Sequence, residues 1–220
     1  MQTNPHYKLI LADDHILLRD ALANLIDTFK QFSVIARAAN GAELIQLLKN
    51  GAAADIALID LNMPVMDGYK TASWLAANCP KVKVVVLTMY DTEITLIRLL
   101  QTGVCGFLKK DINPEELNRA LLCIAEGEYY YSNHITHKIA SLFLKTPDTK
   151  SILEKIRLAD SEIEFLKLAS TDMTYKEIAQ TMHMTPRNID SYRDALFTKF
   201  GVESRVGLVI CAVKNGIISF

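Results

Sequence analysis

No stretch of this chain approaches the roughly 18 to 20 consecutive apolar residues that a membrane-spanning helix requires. The opening Met1-Gln2-Thr3-Asn4-Pro5 has no basic segment leading into an apolar one, so it does not read as a signal peptide. Both absences set the expectation of a cytoplasmic protein with no membrane partner. Cysteine is sparse: Cys79, Cys105, Cys123 and Cys211 form no CxxC pair and no zinc-ligand spacing, which excludes a disulfide framework and a structural zinc site. Thiols of this kind are expected reduced, in a reducing compartment. There is no internal repeat and no low-complexity tract. A strong basic surplus is also missing. The net charge is −1, and residues 156–220 hold eight Lys/Arg against eight Asp/Glu, so no part of the chain advertises itself as a polycation.

What remains is an ordinary globular composition, 50% hydrophobic and 22% charged over 220 residues, enough for two small domains. From Tyr7 to Gly127 short apolar runs alternate with helical spacing. Leu9–Ala12, Val34–Ala38, Ile56–Asp60, Val82–Leu87 and Gly106–Lys109 read as strands. Between them, helical patterns follow Asp14, span Ala42–Leu48, start after Asp67 and stop before Pro80, and occupy Glu93–Gln101. Asn113-Pro114-Glu115-Glu116 opens a fifth helix, with Asn113 at the cap, Pro114 at the first helical position and Glu116 reaching back. Five strands alternating with five helices predict an α/β, doubly wound, five-stranded parallel sheet of flavodoxin-like order 2-1-3-4-5, over residues 7–128.

The rhythm breaks at residues 129–156. Ser132–Leu144 spaces Ile135, Ile139, Leu142 and Phe143 as a short amphipathic helix, and Lys145–Lys150 carries a proline among polar residues, as a linker does. From residue 157 to 220 strand alternation is gone. Four helices are predicted: Ser161–Ala169, a second opened by the capping box Thr174-Tyr175-Lys176-Glu177 and running to about His183, a third from Pro186 to Phe200 closed by Gly201, and a fourth over Ser204–Asn215. Short helices joined by tight turns predict a small all-α helix-turn-helix domain.

The chemistry is carried by strand ends. Asp13 and Asp14 follow the first strand, Asp60 ends the third, Thr88 follows the fourth and Lys110 the fifth. In the predicted order the first and third strands are neighbours, so three carboxylates meet in one crevice at the carboxyl end of the sheet. Carboxylates this close need a cation, and a hard dication such as Mg²⁺ suits an all-oxygen set. Such a site fits phosphoryl transfer, with Asp60 attacking phosphorus to form an acyl phosphate and Lys110 neutralising charge on the equatorial oxygens. Thr88 can donate to a phosphoryl oxygen. Alternation along the strand lets only one of Lys109 and Lys110 face the site.

These residues carry a resemblance. Ala12-Asp13-Asp14-His15, Ile59 to Gly68 (IDLNMPVMDG), Leu87-Thr88 and Gly106 to Asp111 (GFLKKD) resemble the receiver domain of two-component response regulators, as do the intervals of 28 from Asp60 to Thr88 and 50 from Asp60 to Lys110. The resemblance implies that a sensor histidine kinase phosphorylates Asp60. It also implies that Asp14, Asp60 and the Asn62 main-chain carbonyl bind Mg²⁺ with Asp13 acting through water, that Lys110 is the site lysine, and that Thr88 and Phe107 form a switch pair. Phe107 stands where family members often have tyrosine. The C-terminal segments Leu158–Ala169, Tyr175–Ala179, Met184–Tyr192, Lys199–Val202 and Ser204-Arg205 are similar to the LuxR/NarL-type helix-turn-helix domain.

That second resemblance implies that Pro186–Phe200 enters the major groove of double-stranded promoter DNA, with Arg187, Asp190, Ser191 and Asp194 facing it and Lys176, Arg193, Lys199 and Arg205 near phosphates. Asp190 and Asp194 depart from the basic or neutral residues of many relatives. They accept from cytosine N4, or they leave the monomer a weak binder that relies on a homodimer formed on activation, or this face does not meet DNA at all. His134 and His137 stand three apart and read as solvated. The chain is therefore expected to be a transcription factor and not an enzyme, beyond self-phosphorylation from small phosphodonors and slow loss of the phosphoryl group. The rivals are a phosphorylation-independent DNA binder with a vestigial receiver, and an Asp-nucleophile phosphohydrolase, which would want a second carboxylate where Asn62 stands.

Overall fold

Strand pairing extends the apolar runs. β1 (Tyr7–Ala12) and β2 (Phe32–Ala38) each begin two residues before the apolar stretch, because backbone pairing of Tyr7 with Phe32 and Lys8 with Ser33 continues past it. The computed structural model describes residues 6–89, 92–132, 136, 158–215 and 217–218, with the side chains of residues 93 and 94 left aside. The chain divides into two compact units, Met1–Asp91 with Arg98–Lys138, and Thr92–Ile97 with Ile139–Phe220. The expected linker helix, the proline-bearing stretch, His134 and His137 lie outside the described residues.

The first part of the chain alternates as expected: β1, α1 (Ile16–Asp27), β2, α2 (Gly41–Lys49), β3 (Ile56–Asp60), α3 (Gly68–Asn78), β4 (Lys83–Thr88), α4 (Glu93–Gln101), β5 (Gly106–Lys109) and α5 (Pro114–Ala125). All strands run parallel, in the order β2-β1-β3-β4-β5, and a sixth, β6 (Tyr130–Tyr131), extends the β5 edge. The sheet is thus six-stranded, not five-stranded. Two residues show no periodicity, and β6 is held instead by individual groups. Tyr130 N–H donates to the Cys105 carbonyl at 3.0 Å, and the two phenols donate to Glu116 and to the Val104 carbonyl, both at 3.2 Å. Burial pushes the Tyr131 phenol up to about 12. β3, flanked by β1 and β4, is buried along its whole length. A continuous apolar run is what a central parallel strand covered on both faces requires.

Helix starts follow the cap residues. Asn40, Asp67 and Asn113 accept from the backbone N–H three residues on, satisfying a donor that the first turn leaves open. Glu116, expected to reach back to its cap, is met by the Tyr130 hydroxyl. In the second unit the helices are α6 (Asp160–Ala169), α7 (Tyr175–Thr181), α8 (Pro186–Phe200) and α9 (Arg205–Lys214). The Thr174–Glu177 capping box forms, Thr185 and Ser204 cap α8 and α9, and Gly201 closes α8 with φ +64°. α7 ends at Thr181 rather than near His183, which takes φ +53° and turns the chain. Phe165, Leu166, Ile178, Ile189, Leu196, Leu208 and Ala212 form the core of this unit.

The loop leaving β3 is bent tightly. Met66 N–H donates to the Pro64 carbonyl two residues back at 2.6 Å, around Val65 with φ +65°. A β-branched residue in that region is a genuine outlier, and this three-residue turn is the rarer, strained form. The Val65 side chain is exposed and gains nothing from burial. Gly68, four residues after Pro64, lies against the Asp60 carbonyl, and a Cβ there would come within 2.8 Å of Leu61 Cα. Val65→Gly is expected to raise unfolding stability by about 1 kcal/mol, read from urea denaturation, by relieving left-handed strain. Unchanged or lower stability would show that the turn holds no such strain.

Candidate functional site

β1 and β3 lie side by side with Ala12 opposite Ile59, so Asp13 and Asp14 leave the sheet next to Asp60. β5 ends at Lys109, and Lys110 N–H donates to the Thr88 carbonyl at 2.9 Å. That register turns the next side chain inward. Lys110 Nζ lies 2.9 Å from Asp13 Oδ2 and 2.9 Å from Asp60 Oδ2. All three groups are nearly closed to solvent, with 6%, 2% and 5% of their side chains exposed. Lys109 points the other way, 3.7 Å from Asp111. Asp60 Oδ1 accepts from Leu61 N–H at 2.7 Å. Thr88 is buried at the end of β4, one residue beyond Leu87, which pairs with Asp60. Phe107 is buried on β5 opposite Val86, and Asn62 is half-buried in the loop after β3.

Two neighbours were not read from the sequence. His15 Nδ1 sits 3.1 Å from Asp13 Oδ1 and 3.0 Å from Asp14 Oδ1, and ligating atoms of Asp13, Asp14, His15 and Asp60 all lie within 4.8 Å of one another. Its adjacency to the acidic pair was the available signal. Arg19, one turn further on, donates to the Asp13 carbonyl at 2.8 Å, a contact with no motif to announce it. Burial holds the Asp60 carboxyl above the ordinary carboxylate range, with Asp13 adding to it and Lys110 opposing. Burial alone would lower Lys110; the nearby Asp60 and Asp13 outweigh it and raise the ammonium above its usual value. Asp14 Oδ1 is buried without a well-directed hydrogen bond, since one imidazole nitrogen faces two carboxylates. The three carboxylates of this cluster, one with an unsatisfied oxygen, suit a hard dication.

In the second unit, Arg187, Asp190, Ser191 and Asp194 share the exposed face of α8, while Ile189 and Leu196 are fully buried on the other. Arg193 is held between the two aspartates: Nη1 is 2.8 Å from Asp190 Oδ1, and Nε and Nη2 are 2.9 and 2.8 Å from Asp194 Oδ1. Its guanidinium lies 5.5 Å from the centre of the Tyr175 ring. Hydrogen bonding to Asp194 raises its already high pKa. Ser191 donates to the Arg187 carbonyl at 3.0 Å. Lys199 pairs with Glu162 at 3.2 Å, and Arg205 donates to the Ala169 and Thr171 carbonyls at 2.9 and 2.7 Å, closing the end of α6. Lys176 is exposed on α7.

Residues 9–122 match the family of response regulator receiver domains, and residues 157–212 match the luxR family of bacterial regulatory proteins. The oxygen regulatory protein NreC of Staphylococcus aureus is 29% identical over 217 residues, which cover 97% of this chain and all of NreC. The fold is similar to that of RcsB from Salmonella enterica serovar Typhimurium bound to promoter P1flhDC in the presence of the phosphomimetic BeF₃⁻. There the identity is 22%, 98% of both chains is covered and the TM-score is 0.68. The response regulator ChrA of a heme-sensing two-component system is similar at 24% identity, with 97% of this chain and 99% of ChrA covered and a TM-score of 0.53.

Lys110→Met leaves Asp13 and Asp60 buried without their shared cation, at an expected cost of about 3–5 kcal/mol at pH 7. Asp60 titrates above the ordinary range, and losing Lys110 raises it further. Protonation therefore restores stability as pH falls through its folded value, and the gap to wild type narrows on acidification. Denaturant unfolding at pH 7 and pH 5 measures both. A loss below about 1 kcal/mol, or a gap that widens in acid, would contradict this account.

Proposed function

The chain belongs to the response regulators that join a receiver domain to a LuxR-type DNA-binding domain, and on that footing we propose that a sensor histidine kinase phosphorylates Asp60 and so controls binding to promoter DNA. The observation that carries this is Lys110 Nζ at 2.9 Å from both Asp13 and Asp60, in a crevice closed to solvent. We assign the receiver to residues 7–128, a linker to 129–156 and the DNA-binding domain to 157–220.

Asp14, Asp60 and the Asn62 main-chain carbonyl would hold Mg²⁺ directly, and Asp13 through water. Bound there, Mg²⁺ supplies positive charge to the oxygens of the transferring phosphoryl group. The chain's own groups do the rest. An ionised Asp60 oxygen attacks phosphorus; the new O–P bond forms as the P–N bond to the donor histidine breaks. Lys110 neutralises charge on the phosphoryl oxygens, and the Thr88 hydroxyl donates to one of them. That inward movement of Thr88 vacates space for Phe107 on β5. The local change biases the α4–β5–α5 surface towards a homodimer, a two-state element driven by about two added negative charges. The chain acts in the cytoplasm as a regulator, with slow self-hydrolysis of the acyl phosphate as its own chemistry.

Full-length protein treated with acetyl phosphate and Mg²⁺ tests this beside Asp60→Asn. Wild type is expected to shift to a dimer in light scattering and to bind DNA from upstream of its own gene roughly 5- to 150-fold more tightly, the usual size of such coupling. Asp60→Asn is expected to do neither. An equal response from both proteins would favour a phosphorylation-independent regulator.

A further inference from the structure

Three charged side chains stand together on the exposed face of α8, one cation between two anions, at positions 190, 193 and 194. The carboxylates are 53% and 64% exposed, whereas the guanidinium they hold is 27% exposed and lies over Tyr175 from α7. A guanidinium has five N–H donors. Nε–H donates to Asp194 and one hydrogen of Nη1 to Asp190, while Nη2 lies 2.8 Å from Asp194 as an ion pair. Each terminal nitrogen therefore keeps at least one hydrogen outside the donated bonds. Guanine offers O6 and N7 as a pair of acceptors for such an arginine in the major groove.

Building on the DNA-binding reading above, we propose that Arg193 is the base-reading residue of α8, and that Asp190 and Asp194 are its positioning residues rather than readers themselves. Each carboxylate places Oδ1 on Arg193, which makes it a poorer acceptor for cytosine N4 than an unoccupied one. The clamp and the tyrosine ring fix the long side chain before DNA arrives, so less rotamer freedom is lost on binding. The same clamp cancels the attraction of Arg193 for phosphate, since the three groups sum to one negative charge. Non-specific binding rests on phosphate attraction, so the cluster lowers it while leaving the guanine contact open, a gain in specificity from a repulsive element. Lys199 and Arg205 are directed inward at Glu162 and the end of α6, which leaves Arg187 and Lys176 as the exposed basic groups on α8 and α7.

Selection of duplexes from a random library by full-length, BeF₃⁻-treated protein tests this, with wild type beside Arg193→Lys and the double variant Asp190→Asn, Asp194→Asn. Wild type is expected to select a guanine in each half-site. Arg193→Lys is expected to lose that guanine and to weaken binding to the selected duplex by roughly 5- to 150-fold, the size of a bidentate contact. Its binding to random duplex is expected to hold, because the charge is kept. The double variant is expected to bind random duplex more tightly, with a salt slope steeper by about one as a freed cation reaches phosphate. An unchanged consensus with Arg193→Lys overturns the inference, as does a double variant that loses preference at a C·G pair other than the one that Arg193→Lys loses. Wild type that retains no duplex at all overturns the DNA-binding reading, and the inference with it.

Discussion

One buried ammonium holds the receiver site together. Lys110 lies 2.9 Å from a carboxylate that follows β1 and 2.9 Å from another that ends β3. Two carboxylates in this crevice repel each other, and burial makes each costly to ionise. Burial holds the Asp60 carboxyl above the ordinary range, and the acids lift Lys110 despite its own burial. Strand order puts β1 and β3 side by side, Asp60 at the end of a fully buried strand, and Lys110 just past β5 with its N–H on Thr88. A site so arranged sets three carboxylates against one ammonium. A phosphoryl group on Asp60 would add further negative charge there, the physical basis of the proposed switch.

The same sheet sets the surroundings of Phe107 and Lys110. Phe107 and Lys110 belong to β5 and the turn after it, and Phe107 pairs with Val86 on one side and Tyr131 on the other. The strand bearing Phe107 is therefore held from both edges. On one side is β4, ending in Thr88; on the other is a two-residue strand anchored by phenols to Glu116 and Val104.

Most of this was legible in the residues, for definite reasons. Buried parallel strands are continuous apolar runs, and Ile56–Asp60 was read to the residue. Caps are local chemistry, so Asn113, Thr174 and Thr185 sit where their side chains predict. The site followed once strand ends were aligned by strand order. What was not legible depends on single long-range groups. β6 has no periodicity, and its contacts come from Tyr130 and Tyr131 across the sheet edge. His15 joins the acidic site by its adjacency to Asp13 and Asp14, and Arg19 joins it through the Asp13 carbonyl, a contact that no spacing rule carries. On α8 the sequence left two acids facing DNA as a choice between reading and repelling; the Arg193 clamp is a side-chain arrangement that only coordinates reveal.

Among the three clustered carboxylates, Asp60 is the one we propose to form an acyl phosphate. Borohydride reduction of protein treated with acetyl phosphate and Mg²⁺ converts a phosphorylated aspartate to homoserine, which peptide mass spectrometry then locates. Homoserine at position 60, absent in untreated protein, is the predicted result. Homoserine at position 13 or 14, or at none of the three, would contradict the account.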